Sequence, residues 1–399
     1  VAVRGFKTDG HKYINQAIES GASTIIYDDE NTIINDKAVF VRVNNSREVL
    51  SKVSATFYDY PSKGINIIGI TGTNGKTSTT YFIEQFLNTI GEKTAVFGTN
   101  ANKIGNKTYK AVNTTPESCD LQSLFKEMQN ESVEFCAMEV SSHAITLRRV
   151  DDVDFNVAIY TNLSQDHLDF HRDMEDYFLA KSKLFDLVKN YSVINIDDEY
   201  GQRLYDNLKS KGKTVLSYSL YKNGDIMAKD IEYSLSGSKF TLCTPTFKMR
   251  VELNVPGEFM IYNALAAIGG VFFMRDKIDI PKAVEVLKNV KGRFDFVRNK
   301  SNKNIVVDYS HSPDALVNII KNIRKLTDGN IITVFGCGGD RDKTKRPIMG
   351  KDAYDLSDFC ILTNDNPRSE RPIDIAKDVI KGFGNDETKY SVVIDRKDA

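Results

Sequence analysis

Apolar and polar positions alternate along this chain with two periods, and the changes of period mark its organisation. Near the start, Ile14, Ala17 and Ile18 fall on one face of a helix over 13–20, and Gly21 suits its C-terminal cap. Short apolar runs at 1–3, 24–27 and 38–43 read as strands, with a helix over 46–57. The stretch Pro61-Ser62-Lys63-Gly64 reads as a linker. A continuous apolar run follows, Ile65-Asn66-Ile67-Ile68-Gly69-Ile70, of the kind a parallel strand buried on both faces requires. Helical spacing then sets in at Tyr81, Phe82, Phe86, Leu87 and Ile90, and again at Leu121, Leu124, Phe125 and Met128. Runs at 94–97, 135–140, 155–161 and 192–196 predict further buried strands, with a helix over 174–188. Residues 213–255 alternate apolar and polar with polar turns, an antiparallel signature; 263–274 and 281–287 read as helices. From Gly292 onward, strands at 304–308, 331–335, 359–363 and 390–394 alternate with helices.

This pattern predicts an α/β protein of three domains: a small N-terminal α/β unit over 1–60, a central phosphate-loop unit with a mostly parallel sheet over 61–291, and a Rossmann-like unit over 292–399. Composition narrows the reading. The chain is 41% hydrophobic and 27% charged, with a formal net charge of −1, so no global field draws it to nucleic acid. No apolar run is long enough to span a bilayer, and the five cysteines form no C-x-x-C pair, as expected of reduced thiols in a cytoplasmic protein. The chain starts at Val1 within an apolar run and stops soon after another, so both ends are expected to be cut.

The first buried strand runs into Thr71-Gly72-Thr73-Asn74-Gly75-Lys76-Thr77-Ser78 and then into a helix. Glycines let backbone N–H groups approach an anion, a helix N-terminus adds its positive end, Lys76 supplies charge, and the Thr77 hydroxyl can reach Mg²⁺. The usual phosphate-loop pattern misses its first glycine, because Ile70 stands there. In open α/β sheets ligands sit beyond the C-terminal ends of strands. Six such ends carry polar groups: the loop itself; Glu139, Ser141, Ser142 and His143; Asn162, Asp166, His167, Asp169 and His171; Asp308, Tyr309 and His311; Asp340 and Arg341; Asp365, Asn366 and Arg368. Glu139 with Thr77 suits one Mg²⁺, and His167 with Glu139 a second metal. Lys181, by spacing alone, reads as a solvated lysine on an exposed helix face.

These residues resemble the Mur ligase family. Gly72-Thr73-Asn74-Gly75-Lys76-Thr77 is similar to that family's form of the phosphate loop, which accounts for Ile70. Glu139-Val140-Ser141-Ser142-His143, Asn162-Leu163-Ser164-Gln165-Asp166-His167-Leu168-Asp169 and Asp308-Tyr309-Ser310-His311-Ser312-Pro313 look like further signatures, with Ser310 where alanine is expected. Asn113-Thr114-Thr115-Pro116 and Asp365-Asn366-Pro367-Arg368 resemble the member that adds the third peptide residue to UDP-N-acetylmuramoyl-L-alanyl-D-glutamate.

The resemblance implies ATP-dependent amide formation in cell-wall peptide synthesis through an acyl phosphate. It implies that Gly72, Thr73, Asn74, Gly75, Lys76, Thr77 and Ser78 hold phosphates, with Asn263 at the adenine and Arg293, Asp308 and His311 around the rest of the nucleotide. Thr77 and Glu139 would bind one Mg²⁺; His167 and a carbamylated Lys181 would bind the second. Asn113, Thr114, Thr115, Ser141 and Arg149 would contact the UDP-sugar peptide. Arg341, Asp365, Asn366 and Arg368 would bind the incoming amino acid. An arginine fork matches a carboxylate and repels an ammonium, so Arg368 favours meso-diaminopimelate over L-lysine. A monomer is expected, with closure of the domains over ATP. The family's Gly-Lys-Gly-His-Glu segment and the start of its uridine-binding region are expected to lie outside this stretch. A folylpolyglutamate synthetase-like ligase would share the phosphate loop but not the Thr-Thr-Pro and Asp-Asn-Pro-Arg pair. A nucleotide-dependent binding module would need only the central unit.

Overall fold

The computed structural model describes residues 1–5, 8–274, 276–297 and 303–399. In the N-terminal part, a 3₁₀ turn and α1 (Ile14–Glu19) precede a parallel pair, β1 (Thr24–Tyr27) and β2 (Val39–Arg42), which share a small core with Ile14 and Ile18 of α1; α2 (Ser46–Phe57) follows. The Asn45 side chain caps α2, accepting from the N–H groups of Arg47 and Glu48. The expected strand at 1–3 forms no ladder: Ala2 N–H donates to the Ile26 carbonyl, and the next contact is an isolated bridge between Arg4 and Asp9.

The molecule is organised around one sheet of eleven strands among the described residues. These are β3 (Asn66–Thr71), β4 (Thr94–Phe97), β5 (Asn102–Ile104), β6 (Lys107–Tyr109), β7 (Phe135–Glu139), β8 (Phe155–Tyr160), β9 (Val188–Asn195), β10 (Val215–Ser219), β11 (Ile226–Ser234), β12 (Gly237–Cys243) and β13 (Lys248–Leu253). Their order is β13-β12-β11-β10-β9-β8-β3-β7-β4-β5-β6. From β4 through β11 neighbours are parallel; β5–β6 and β12–β13 add antiparallel flaps at the two edges. The sequence pattern over 213–255 reads as more antiparallel in character; β10 joins β9 and β11 in parallel, and the meander β11–β13 is antiparallel.

Between these strands lie α3 (Lys76–Asn88), α4 (Ser118–Asn130), α5 (Ser142–Thr146), α6 (Met174–Ser182) and α7 (Glu199–Ser210), with α8 (Glu258–Val271) and α9 (Ile280–Glu285) after the meander. Strand β3 shows why it is central. Ile68 and Ile70 point into one core with Phe82 and Phe86 of α3, while Ile67 belongs to the core on the opposite face with Phe97, Phe125 and Tyr160. Helix α8 is buried nearly all round, and its small residues let it lie close on the sheet. A Cβ on Gly269 would stand 2.5 Å from Val193 Cγ1.

Two expectations change here. The helix at 174–188 ends at Ser182; a 3₁₀ turn buries Leu184 and Phe185, and β9 begins at Val188. The Pro61–Gly64 stretch is not a free linker. It forms a 3₁₀ turn whose Pro61 carbonyl accepts from Gln129 Nε2 at 3.0 Å, and Pro61 and Ser62 are buried.

The C-terminal part contains β14 (Asp295–Phe296), β15 (Val306–Val307), α10 (Pro313–Leu326), β16 (Ile332–Phe335), α11 (Lys345–Leu356), β17 (Phe359–Leu362), α12 (Pro372–Ile380) and β18 (Tyr390–Val392). β16, β17 and β18 form a parallel sheet on a separate small core. The strand expected at 304–308 shrinks to β15 and pairs antiparallel with β14, apart from that sheet. Among the described residues no helix is long and apolar enough to cross a membrane.

Candidate active site

Strand β3 lies between β7 and β8, so the loops leaving all three converge at one edge of the sheet. Backbone geometry imposes the glycines of the loop after β3. Gly72 has φ +143°, and a Cβ there would stand 1.9 Å from Thr161 Oγ1. Gly75 has φ +87° and is the residue before α3; its Cβ would stand 2.4 Å from Asn263 Oδ1. Asn263 on α8 is thus buried against the loop itself. Asn74 N–H donates to Asn162 Oδ1 at 2.9 Å, and Thr73 Oγ1 to the Ser164 carbonyl at 3.2 Å, so the loop after β8 cradles the loop after β3. Ser78 is buried one turn into α3.

Lys76 Nζ folds back on its own loop, 2.9 Å from the Gly72 carbonyl and 2.8 Å from that of Thr73. Lys181 Nζ reaches the same Gly72 carbonyl at 2.8 Å and lies 4.5 Å from the centre of the Tyr177 ring. The spacing-based reading of Lys181 as a solvated lysine is therefore wrong: the side chain is 1% exposed. Helix α6 turns it inward because Tyr177 and Phe178 anchor the same helix in the core. Burial lowers the tendency of both lysines to carry charge, and for Lys181 the nearby Lys76 adds to it, holding its amine well below the ordinary range.

Glu139, at the end of β7, is 1% exposed. Its Oε1 accepts from Thr77 Oγ1 and from Thr99 N–H, both at 2.9 Å, and Oε2 accepts from Thr99 Oγ1 at 3.2 Å. Thr99 was not singled out from sequence. Its signal was modest: a threonine just past the end of β4, following Gly98, where a Cβ would stand 2.2 Å from Glu139 Oε1. His167 has φ +56°, sits edge-on to His143 with ring centres 4.8 Å apart, and lies 3.4 Å from Asp166. Burial pushes the imidazoles of His143 and His167 down to about 4 and about 3, so both are neutral near pH 7.

The C-terminal part reaches into this edge. Arg293 Nη2 donates to Thr77 Oγ1 at 3.0 Å while its guanidinium lies over the Tyr309 ring. Asp308 is held by the N–H groups of Phe294 and Ser310, at 2.7 and 2.8 Å. His311 Nε2 lies 3.7 Å from Asp166 Oδ2. Asp314, not anticipated from sequence, accepts from Asn74 Nδ2 at 3.1 Å.

Beside Glu139, Thr115 Oγ1 donates to the Glu139 carbonyl at 2.9 Å and accepts from Ser141 N–H at 3.1 Å. Thr114 Oγ1 meets Thr99 Oγ1 at 3.1 Å, and Asn113 is exposed. Arg149 donates to the Thr115 carbonyl and pairs with Glu117 at 2.6 Å; Arg47, from α2, approaches the same carboxylate at 3.8 Å. A second polar edge lies past β16 and β17. There Arg341, Asp365, Asn366 and Arg368 are exposed, and Arg368 donates to the Gly339 carbonyl at 2.6 Å.

Among the described residues no cluster of three or more His, Cys, Asp or Glu side chains could hold a metal. A cation here would draw on other donors, a hydroxyl among them.

A glycine loop at the centre of a parallel sheet, with two lysines converging on it and a second α/β unit touching it, defines a phosphate-loop α/β enzyme. Family models place it further. Residues 70–271 match the Mur ligase middle domain, residues 292–399 the Mur ligase glutamate ligase domain, and residues 1–58 the Mur ligase family catalytic domain. The chain belongs to the Mur ligase family. It is 43% identical over 404 residues to a UDP-N-acetylmuramoyl-L-alanyl-D-glutamate--2,6-diaminopimelate ligase of Clostridioides difficile (strain 630), covering all of this chain and 82% of the relative. To the protein of that name from Caldanaerobacter subterraneus subsp. tengcongensis it is 45% identical over 401 residues, with the same coverage. A solved structure of a UDP-N-acetylmuramoyl-L-alanyl-D-glutamate--2,6-diaminopimelate ligase superposes with a TM-score of 0.71 at 30% identity, covering 100% of this chain and 82% of that one.

Proposed function

We propose that this chain is the ATP-dependent ligase that joins meso-diaminopimelate to the terminal carboxylate of UDP-N-acetylmuramoyl-L-alanyl-D-glutamate. In this reading residues 1–60 help bind the UDP moiety, 61–291 bind ATP and 292–399 bind the amino acid. The enzyme acts in the cytoplasm as a monomer. The observation that carries the reading is the shared Gly72 carbonyl. Half-buried Lys76 and buried Lys181 converge on one oxygen beside Glu139 and Thr77, with no ion pair to a carboxylate on either lysine among the described residues, an arrangement that suits a polyphosphate.

The loop amides and Lys76 bind the ATP phosphates, whose charge favours the Lys76 ammonium and offsets the effect of burial. Asn263, Arg293, Asp308 and His311 enclose the rest of the nucleotide. Arg149, Thr114, Thr115, Ser141 and Asn113 orient the UDP-sugar peptide, with Glu117 paired to Arg149 at 2.6 Å. A carboxylate oxygen of the dipeptide attacks the γ-phosphorus and ADP leaves. The amine of the incoming amino acid attacks the acyl carbon, loses a proton, and phosphate departs. Holding three reactants in register accounts for most of the rate gain.

The donors present suit Mg²⁺. Glu139 and the Thr77 hydroxyl are hard oxygen ligands for a first ion. For a second, His167 offers a neutral imidazole, and burial with the neighbouring Lys76 disfavours the charged form of Lys181, as carbamylation by CO₂ requires. The carbamate nitrogen would keep one N–H for the Gly72 carbonyl. Bound Mg²⁺ would neutralise phosphate charge during transfer.

Arg341 and Arg368, with Asn366 and Asp365, grip the amino acid's distal end, where an arginine fork matches the carboxylate of diaminopimelate. Phosphate release with diaminopimelate, L-lysine or L-ornithine tests the reading. Release should require ATP, the UDP-dipeptide and diaminopimelate together, and turnover with L-lysine equal to or above that with diaminopimelate would overturn the assignment.

A further inference from the structure

The loops carrying Arg341 and Arg368 are bolted together by charged side chains that take no part in the reading above. Gly339 N–H donates to the Asn366 carbonyl at 2.9 Å, and Arg368 returns a bond to the Gly339 carbonyl. Asp340 and Arg368 both adopt left-handed backbone, with φ of +50° each, which bulky side chains avoid unless the surroundings hold them.

Glu370 supplies that hold. Its Oε1 accepts from Asp340 N–H at 2.7 Å and from Arg346 Nη2 at 2.8 Å; its Oε2 accepts from Arg346 Nη1 at 3.0 Å and lies 3.1 Å from Lys343 Nζ. Arg346, on α11, is 1% exposed and also reaches the Gly338 carbonyl at 3.3 Å and Asp378 of α12 at 3.1 Å. Ser369 closes the frame, donating to Asp340 through N–H and Oγ. A two-pronged arginine–carboxylate pair of this kind fixes orientation as well as distance. The Glu370 carboxyl is accordingly held down to about 2 by the Arg346 guanidinium.

We infer that Glu370 and Arg346 are positioning residues that set the spacing of Arg341 and Arg368, and with it the choice between an amino acid ending in a carboxylate and one ending in an ammonium. A guanidinium grips a carboxylate with two parallel bonds only when both are aligned, whereas an ammonium is a point charge with little directional demand. Loosening the frame therefore weakens diaminopimelate more than L-lysine. The inference rests on these loops forming the amino-acid site.

The test is a steady-state series on the purified enzyme with Glu370→Gln, Arg346→Lys, Ser369→Ala and Arg368→Ala, following phosphate release. Glu370→Gln and Arg346→Lys should raise the KM for diaminopimelate roughly 10- to 100-fold and lower its kcat/KM advantage over L-lysine. The KM values for ATP and the UDP-dipeptide should stay within about twofold, as expected when the defect is confined to one site. A loss of activity with all three KM values and the selectivity unchanged would mean a merely structural role and overturn the inference. If the two buried-pair variants do not accumulate folded, Ser369→Ala decides. It removes one exposed bond and should raise the same KM about two- to tenfold, and unchanged selectivity would overturn the inference. Arg368→Ala separates the two levels. If it leaves the KM for diaminopimelate unchanged, the assignment of the amino-acid site fails; if it raises that KM while the other variants are silent, only the positioning role fails.

Discussion

The two polar edges of this molecule handle charge differently. At the edge of the large sheet, Lys76 and Lys181 share one carbonyl and neither forms an ion pair with the nearby Glu139 or Asp166 among the described residues, while His143 and His167 lie edge-on in a pocket that keeps them uncharged. At the edge of the C-terminal sheet, charges are matched: Arg346 with Glu370 and Asp378, Lys343 with Glu370, Arg371 with Asp374. Burial dominates the first region and pairing the second. A site whose lysines have no carboxylate partner gains most when a polyanion arrives, in keeping with the proposed ATP site. A pocket whose frame is already neutralised gains little from an arbitrary charge, and can afford to be selective.

The sharpest way to break this contrast is at Lys181. Lys181→Ala should cost roughly 10²- to 10³-fold in kcat, with partial rescue by a small carboxylate such as formate. Full activity without rescue would sink the carbamate role. Next comes Arg368→Ala, for which the KM for diaminopimelate should rise roughly 10- to 100-fold, the loss of a charged hydrogen-bonded partner, with the KM for ATP unmoved. Smaller is Gly98→Ala. Its Cβ would stand 2.2 Å from Glu139 Oε1 and push the carboxylate off Thr77 and Thr99. The Mg²⁺ concentration for half-maximal rate should rise severalfold, and overpacking at this buried site should cost about 1–3 kcal/mol of stability.

The smallest effect is a pH slope. The folded imidazoles of His143 and His167 titrate at about 4 and about 3, below the ordinary value of 6.5. As pH falls from 7 to 5, the unfolded chain takes up these protons and the folded one refuses them, so stability declines across that window. His143→Phe should flatten the fall in melting temperature between pH 7 and 5, and an unchanged slope would show that burial at this edge carries no electrostatic cost.

The first region was largely legible in the sequence. Glycines, Lys76 and Thr77 sit next to one another in the chain, and the helix at 46–57 and the strand at 94–97 follow from local periodicity alone. Lys181 was not legible by spacing, because its burial comes from how α6 packs Tyr177 and Phe178, a tertiary fact. Parallel pairing of β10 escaped for a related reason, since alternation reports a half-exposed face and not the direction of the neighbour. Thr99, Asp314 and Arg47 reach their partners across elements far apart in the chain. The second region was legible only as a list of exposed arginines and carboxylates. Its wiring through Arg346 and Glu370 depends on the register of β16 against β17.

The crossing of backbones at Gly339 has a consequence for how such an enzyme can change its diet. A Cβ there would stand 1.9 Å from the Pro367 carbonyl oxygen, so the two loops already touch main chain to main chain. Neither can grow or slide by a residue without tearing the other away. On the proposed reading of the amino-acid site, a new substrate is therefore accommodated by exchanging side chains at 341, 366 and 368 on a fixed trellis.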